Sequence, residues 1–145
     1  MKDTEGKPKC VVYSEFEVVD YLAKLKYALS EGKARINFQK KRKSDANRDE
    51  RFTNGYTIAN LFPNEDEKKV FKRELKKLTV ENYIHTVDDK DYPELKNLWV
   101  FGIKYDDDVY IKMRVEIVGS IVLVLSFHYA EKSFKDTDFP YKRKR

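Results

Sequence analysis

The strongest constraint on this chain lies between Trp99 and Phe127, where apolar residues recur at every second position through three successive runs. Trp99, Phe101, Ile103 and Tyr105 form the first run. Val109, Ile111, Met113, Val115 and Ile117 form the second, and Ile121, Leu123, Leu125 and Phe127 the third. A period of two is the signature of a strand with one buried face. The breaks, Asp106-Asp107-Asp108 and the region of Gly119, are too short for anything but hairpin turns, so the runs predict a three-stranded antiparallel meander.

All three stripes fall on odd numbers. A shared buried face therefore needs hairpin loops with an odd number of residues, and three-residue loops set Tyr105 opposite Val109 and Ile117 opposite Ile121. Read outward, this register predicts Tyr110 between Lys104 and His128, and Lys112 between Gly102 and Ser126, all on the even face. Val100, Val122 and Val124 lie toward one end of that face, which predicts a covered end and an open one. Gly102 beside Lys112 either makes room for a group close to the backbone or marks a bulge.

Upstream, Ser14 reads as the N-cap of an amphipathic helix carrying Val18, Val19, Leu22, Leu25 and Leu29, with Gly32 as its stop. Ala34 to Phe38 alternates and predicts one short strand. Residues 40–55 are polar, charged and aperiodic, which predicts a long loop or frayed extensions of its neighbours. Thr57 to Phe62 reads as a short helix ended by Pro63. Asn64 reads as the cap of a further helix bearing Val70, Phe71 and Leu75. Thr79 to Tyr83 reads as one helical turn, followed by an acidic connector through Asp88 to Pro93.

The fold class predicted is α+β, with N-terminal helices packed on a C-terminal antiparallel sheet made of the meander and one short strand. At 145 residues the chain holds one sizeable core, so residues 1–145 read as a single domain. No apolar run approaches the roughly 20 residues of a membrane-spanning helix, and the charged N-terminus has no secretory pattern, which predicts a cytoplasmic protein. Cys10 is the only cysteine and has no His/Cys neighbours at metal-ligand spacing. The basic excess is modest, 30 Lys and Arg against 25 Asp and Glu, but it is concentrated. Lys40-Lys41-Arg42-Lys43 with Arg48 and Arg51 form one block and residues 141–145 a basic tail, which suit a polyanion or an acidic protein equally.

The even face of the meander carries the candidate chemistry. Cleavage of RNA through its own 2′-hydroxyl needs a base, an acid for the leaving 5′-oxygen and cations beside the phosphate, and it needs no metal. His128 is the candidate acid or base because imidazole titrates near neutrality. Tyr110 is a candidate orienting group, and Lys112, Lys104 and Arg114 are candidate cations. Lys41, Arg42 and Lys43 extend the candidate RNA-binding surface. His85, the other histidine, follows the short helical turn and is a further catalytic candidate. An ordinary solvent-facing sheet surface carries the same residue types. No phosphate-binding glycine loop, nucleophile elbow, CxxC or HExxH is present, and the acidic runs at Asp88, Asp89 and Asp91 and at Asp106 to Asp108 read as solvated turns. Neither a metal nor a cofactor is expected.

Four segments taken together, Leu78-Thr79-x-Glu81-Asn82-Tyr83, Leu98-Trp99-Val100-Phe101-Gly102, Val109-Tyr110-Ile111-Lys112 and Ser126-Phe127-His128-x-Ala130-Glu131, resemble in order and spacing the MqsR-like toxins of the RelE superfamily. The resemblance covers roughly residues 64–134. It implies a RelE-like fold and metal-independent cleavage of mRNA, in the wider superfamily often on the ribosome. It also implies neutralisation by a cognate antitoxin protein. Tyr110 matches the family's active-site tyrosine. Lysines of the founding type fall at the positions of His85 and His128, and the branch with the Ser-Phe-His-x-Ala-Glu ending has the histidine at 128. The founding type's active-site glutamine falls near Val100, a departure that leaves open a noncatalytic RNA-binding or protein-interaction module on the same fold.

Overall fold

The computed structural model describes residues 10–30, 33–89, 97–116 and 120–143. Nine principal elements follow in order: β1 (Cys10–Val11), α1 (Glu15–Ala28), β2 (Arg35–Phe38), α2 (Asn54–Leu61), α3 (Glu67–Glu74), β3 (Tyr83–Asp88), β4 (Asn97–Lys104), β5 (Asp108–Glu116) and β6 (Ile121–Tyr129). They form one six-stranded sheet in the order β1-β3-β4-β5-β6-β2, antiparallel throughout except for the parallel pair β2 and β6. The α+β class holds, but the sheet is larger than the alternation predicts, and β1 precedes the first helix. Tyr83–Asp88 is a strand where the sequence predicts an acidic connector, because an extra residue, Ile84, bulges between Tyr83 and His85 and breaks the period of two.

Helix α1 starts where its sequence signal lies. Ser14 Oγ accepts from Glu17 N at 3.2 Å while Glu17 Oε1 accepts from Ser14 N at 3.1 Å, a reciprocal cap that satisfies two helix-end donors. Val18, Leu22, Leu25 and Leu29 are buried as expected, together with Tyr21, but Val19 faces outward and is exposed. The expected stop at Gly32 lies outside the described residues. Helix α3 is capped by Asp66, whose side chain accepts from Lys69 N, rather than by Asn64, which adopts a positive φ of 67° in the preceding turn. Val70, Phe71 and Leu75 are fully buried.

The odd face of β4 and β5 packs on α1 and α3 around Phe101, Ile111, Met113, Phe71 and Leu25. Each such side chain removed from water contributes about 1.5–3 kcal/mol. Tyr21 stacks on Trp99 with centroids 4.1 Å apart and rings 8° from parallel.

Two features of the meander differ from expectation. The β4–β5 loop does have three residues, but it comprises Tyr105 to Asp107, so Lys104 pairs with Asp108. Tyr105 turns to donate its hydroxyl to the buried Glu74 carboxylate at 2.9 Å, and its N–H bonds to Asp107 O within the turn. Tyr110 therefore opposes Gly102, and Lys112 opposes Val100. On the other side Tyr110 opposes His128 and Lys112 opposes Ser126 as predicted, but Met113 then opposes Val124, leaving Leu125 as a bulge. Below the bulge the parity of β6 inverts. Val122 and Val124, not Leu123 and Leu125, enter the main core. The expected pair Ile117 with Ile121 involves a residue outside those described; Ile121 opposes Glu116.

The segment 40–55 is folded against the sheet. Two short 3-10 turns, Lys43–Asn47 and Glu50–Phe52, lead into α2. There the Asn54 amide donates to Gln39 O (2.7 Å) and Leu125 O (3.0 Å) and accepts from Phe127 N (2.9 Å), while Thr57 Oγ1 accepts from Tyr129 N (3.0 Å). These side chains stand in for a neighbouring strand along the half of β6 that β2 does not reach. Among the described residues no helix is long and apolar enough to cross a membrane.

Candidate active site

Strands β5 and β6 bring Tyr110 and His128 opposite each other on the face away from the helices. Their rings stack with centroids 5.4 Å apart, 21° from parallel. One pair further along, Lys112 opposes Ser126, and its ammonium lies 6.0 Å from the Tyr110 ring centroid. The segment after β2 arches over this pair, and Arg42 Nη1 donates to Ser126 Oγ at 3.4 Å. Arg48 and the chain beyond β6, Ala130 to Lys132 and Phe134, complete a cleft of about 280 Å³.

His128 is buried, and its Nδ1 lies 2.9 Å from Tyr129 O. A carbonyl oxygen only accepts, so Nδ1 carries the hydrogen and Nε2 holds the lone pair. Burial, then the positive fields of Arg48 and Arg42, hold the imidazole pKa below its ordinary value, against an opposing contribution from the Tyr129 carbonyl. Lys112 is likewise held below the ordinary lysine value by burial and by Arg42 and Arg48. Burial raises the Tyr110 phenol, which stays protonated at neutral pH. The cleft thus combines a neutral imidazole, a phenol, a weakened ammonium and two guanidinium groups.

Of the residues expected at the site, His128, Tyr110, Lys112 and Arg42 converge. His85 lies on the same face but opposite Val100 on β4, outside the cleft lining, with Cys10 Sγ 3.7 Å from its Nδ1. Burial and the Lys112 charge hold its pKa down. Lys104 is displaced by the register to the hairpin end, where it is exposed beside a separate cleft. Arg114, expected among the RNA-facing cations, is buried and bonded to Asp89 at 2.7 Å and Glu116 at 3.0 Å, outside the cleft lining. Lys41 and Lys43 are exposed and do not line the cleft. In the basic tail, Arg143 pairs with Glu15 and Lys142 with Asp136, while residues 144–145 lie outside those described.

Two contributors escape a reading of alternation alone. Arg48 belongs to a visible basic block, yet its approach to the cleft depends on how residues 40–55 fold back. The sequence points to Phe134 only through Gly102: the room left beside the backbone is taken by this ring from the same chain. Among the described residues no group of three or more His, Cys, Asp or Glu side chains is arranged to hold a metal ion.

Comparison with protein-family models, curated proteins and solved structures finds no match for this chain.

Proposed function

We propose that this protein is a metal-independent endoribonuclease of the MqsR-like type, which cleaves mRNA and acts as the toxin of a toxin-antitoxin pair in the cytoplasm. The observation that carries this reading is the stacked Tyr110–His128 pair in a cleft walled by Arg42, Arg48 and Lys112. A RelE-like fold agrees with a mostly antiparallel sheet that carries helices α1 and α3 on one face.

In the reaction, Nε2 of neutral His128 takes the proton of the ribose 2′-hydroxyl as its oxygen bonds to phosphorus. The bond from phosphorus to the 5′-oxygen breaks, and that oxygen receives a proton from the Lys112 ammonium, whose reduced basicity makes it the better donor. The products are a 2′,3′-cyclic phosphate and a 5′-hydroxyl end. Arg42 and Arg48 balance the charge that grows on the phosphate oxygens, and the Tyr110 phenol hydrogen-bonds and orients the reacting group.

A noncatalytic RNA-binding module is the second reading, favoured by one observation. Val100, at the position of the founding type's glutamine, is fully buried in a small apolar cluster with Val87, Leu98 and Ile84. Incubation of the pure protein with a structured mRNA in EDTA separates the two. The nuclease reading expects new 5′-hydroxyl ends that disappear in His128→Ala and on 2′-deoxy substrate, with RNA affinity retained. Binding without cleavage by the folded wild type overturns it.

A further inference from the structure

Helix α1 carries two apolar stripes. One faces the core through Val18, Leu22 and Leu25. The other, Phe16, Val19, Ala23 and Tyr27, follows the same helical spacing on the opposite side, where Phe16 is 79% exposed, Val19 50% and Tyr27 66%. Five of the six large apolar side chains that stand exposed among the described residues fall between Val11 and Tyr27. Beside the C-terminal half of this stripe, between α1 and the sheet, lies a groove of about 360 Å³ walled by Ala23, Tyr27, Ala28, Ala34, Val115 and Ile121.

We propose that this face is a self-association surface, on which two copies of the chain pair their α1 helices antiparallel about a twofold axis. Three properties of the helix select a second copy as the occupant. First, a knob and a hole lie on one element: Phe16 is at one end of the stripe and the apolar groove at the other, eleven to twelve residues or ~17 Å apart. Only an antiparallel partner of the same length brings each Phe16 to the other's groove. Second, the charges are ordered along the axis. Glu17 and Asp20 lie in the N-terminal half and Lys24 and Lys26 in the C-terminal half, so an antiparallel copy sets acid against base at both ends. Third, both requirements use one axis. A twofold passing near residue 22 faces Phe16 toward Ala28 in the groove wall and Asp20 toward Lys24. In the single chain Asp20 and Lys24 already form an exposed ion pair at 3.1 Å, a contact of small net value that exchanges readily for its symmetric counterpart. Such a contact is isologous and closes at the dimer.

A one-helix contact falls at the small end of specific interfaces, so association is expected in the roughly micromolar range or weaker. Sedimentation equilibrium of the full chain over rising concentration tests this. Wild type is expected to form a dimer and nothing larger. Phe16→Asp should abolish it without lowering the thermal midpoint, because the side chain is exposed. Asp20→Lys and Lys24→Asp should each weaken self-association by more than about tenfold through like-charge opposition. An equimolar mixture of these two variants should restore dimerisation, since both facing positions then carry opposite charges across the twofold; mixing cannot repair the pair within a chain. A wild type that stays monomeric overturns the proposal, whatever other partner covers the stripe. A dimer that survives Phe16→Asp, or a mixture that remains monomeric, overturns the antiparallel arrangement.

Discussion

The ring of Phe134 lies over Gly102 so closely that a β-carbon on that glycine would stand 2.6 Å from Phe134 Cε2. The contact is held from both sides. Gly102 sits in β4 opposite Tyr110, and Phe134 N donates to Asp108 Oδ2 at 2.8 Å, fastening the chain beyond β6 to the β4–β5 hairpin. The same ring forms one wall of the cleft that holds Tyr110 and His128.

Gly102→Ala should therefore expel the Phe134 ring while leaving the strands paired, because the ring and not a backbone atom is the group in the way. Overpacking of this kind costs about 1–3 kcal/mol. Urea unfolding should register that loss. Cleavage should fall as well, since the wall of the cleft moves. Phe134→Ala should lose a similar amount of stability, and the double variant should lose little more than either alone. Additive losses in the double variant would contradict the contact.

The fold lowers the pKa of both histidines, that of His128 by burial and the two arginines, that of His85 by burial and Lys112. Above the unfolded value of about 6.5 the imidazoles are neutral in both states and add no pH dependence. As pH falls through 6.5 the unfolded chain binds protons that the folded chain does not, and stability falls until the folded pKa values are reached. Unfolding followed from pH 7.5 downward should show this decline, and His128→Gln should remove part of its slope. In the proposed cleavage reaction the base must be neutral, so the acid limb of kcat/KM should lie below 6.5. An acid limb above 6.5 would exclude His128 in its depressed state as the base.

Arg114 and Asp89 form an ion pair with both side chains largely out of water, 7% and 9% exposed. Removal of one partner from such a pair costs up to about 3–5 kcal/mol, because the remaining charge keeps its desolvation and loses one of its compensating contacts. Arg114→Met should lower stability on that scale. The RNA affinity of the molecules that remain folded should be unchanged. A variant that folds normally but binds RNA less tightly would return Arg114 to the interface that its position on the even face first suggested.

Local signals are legible in this sequence and long-range ones are not. The Ser14 cap, the buried stripe of α1 and the odd-numbered alternation of β4 and β5 are properties of neighbouring residues, and each leads to the right element. The β6 bulge at Leu125 depends on Asn54, a residue seventy-one positions upstream whose amide bonds to the carbonyl of Leu125 and the N–H of Phe127. No pattern within β6 announces it. Strand β3 is hidden by its own bulge at Ile84, and β1 is two residues long. For the cleft, the pairing of Tyr110 with His128 and of Lys112 with Ser126 follows from parity above the bulge, where it holds. The contribution of Arg42 and Arg48 requires the fold of residues 40–55, and the displacement of Lys104 requires the turn geometry around Tyr105.

Asn54 is thus the residue on which the covering of the site depends. Its side chain makes three bonds to the backbone of β6 and of the chain after β2, and it is 2% exposed. Asn54→Ala leaves two part-buried carbonyls and one buried N–H without these partners, an expected loss of about 2–4 kcal/mol, since an unsatisfied buried group costs roughly 1–3 kcal/mol and water can reach the carbonyls. Amide exchange should accelerate first at Phe127 and Tyr129, whose N–H groups bond to Asn54 and Thr57.

The arginines that this segment carries over the cleft should report on the same architecture through salt. If Arg42 and Arg48 each neutralise one phosphate, each single substitution to Ala should reduce the slope of log affinity against log salt by about 1, with little change in sequence preference. Lys41→Ala and Lys43→Ala, which lie outside the cleft, should change the slope less. Asn54→Ala should reproduce part of the arginine effect, because it frees the segment that holds both guanidinium groups. Equal slopes for the wild type and Arg42→Ala, measured with a 2′-deoxy substrate that binds without being cleaved, would remove the phosphate from this cleft and with it the charge stabilisation on which the proposed cleavage mechanism depends.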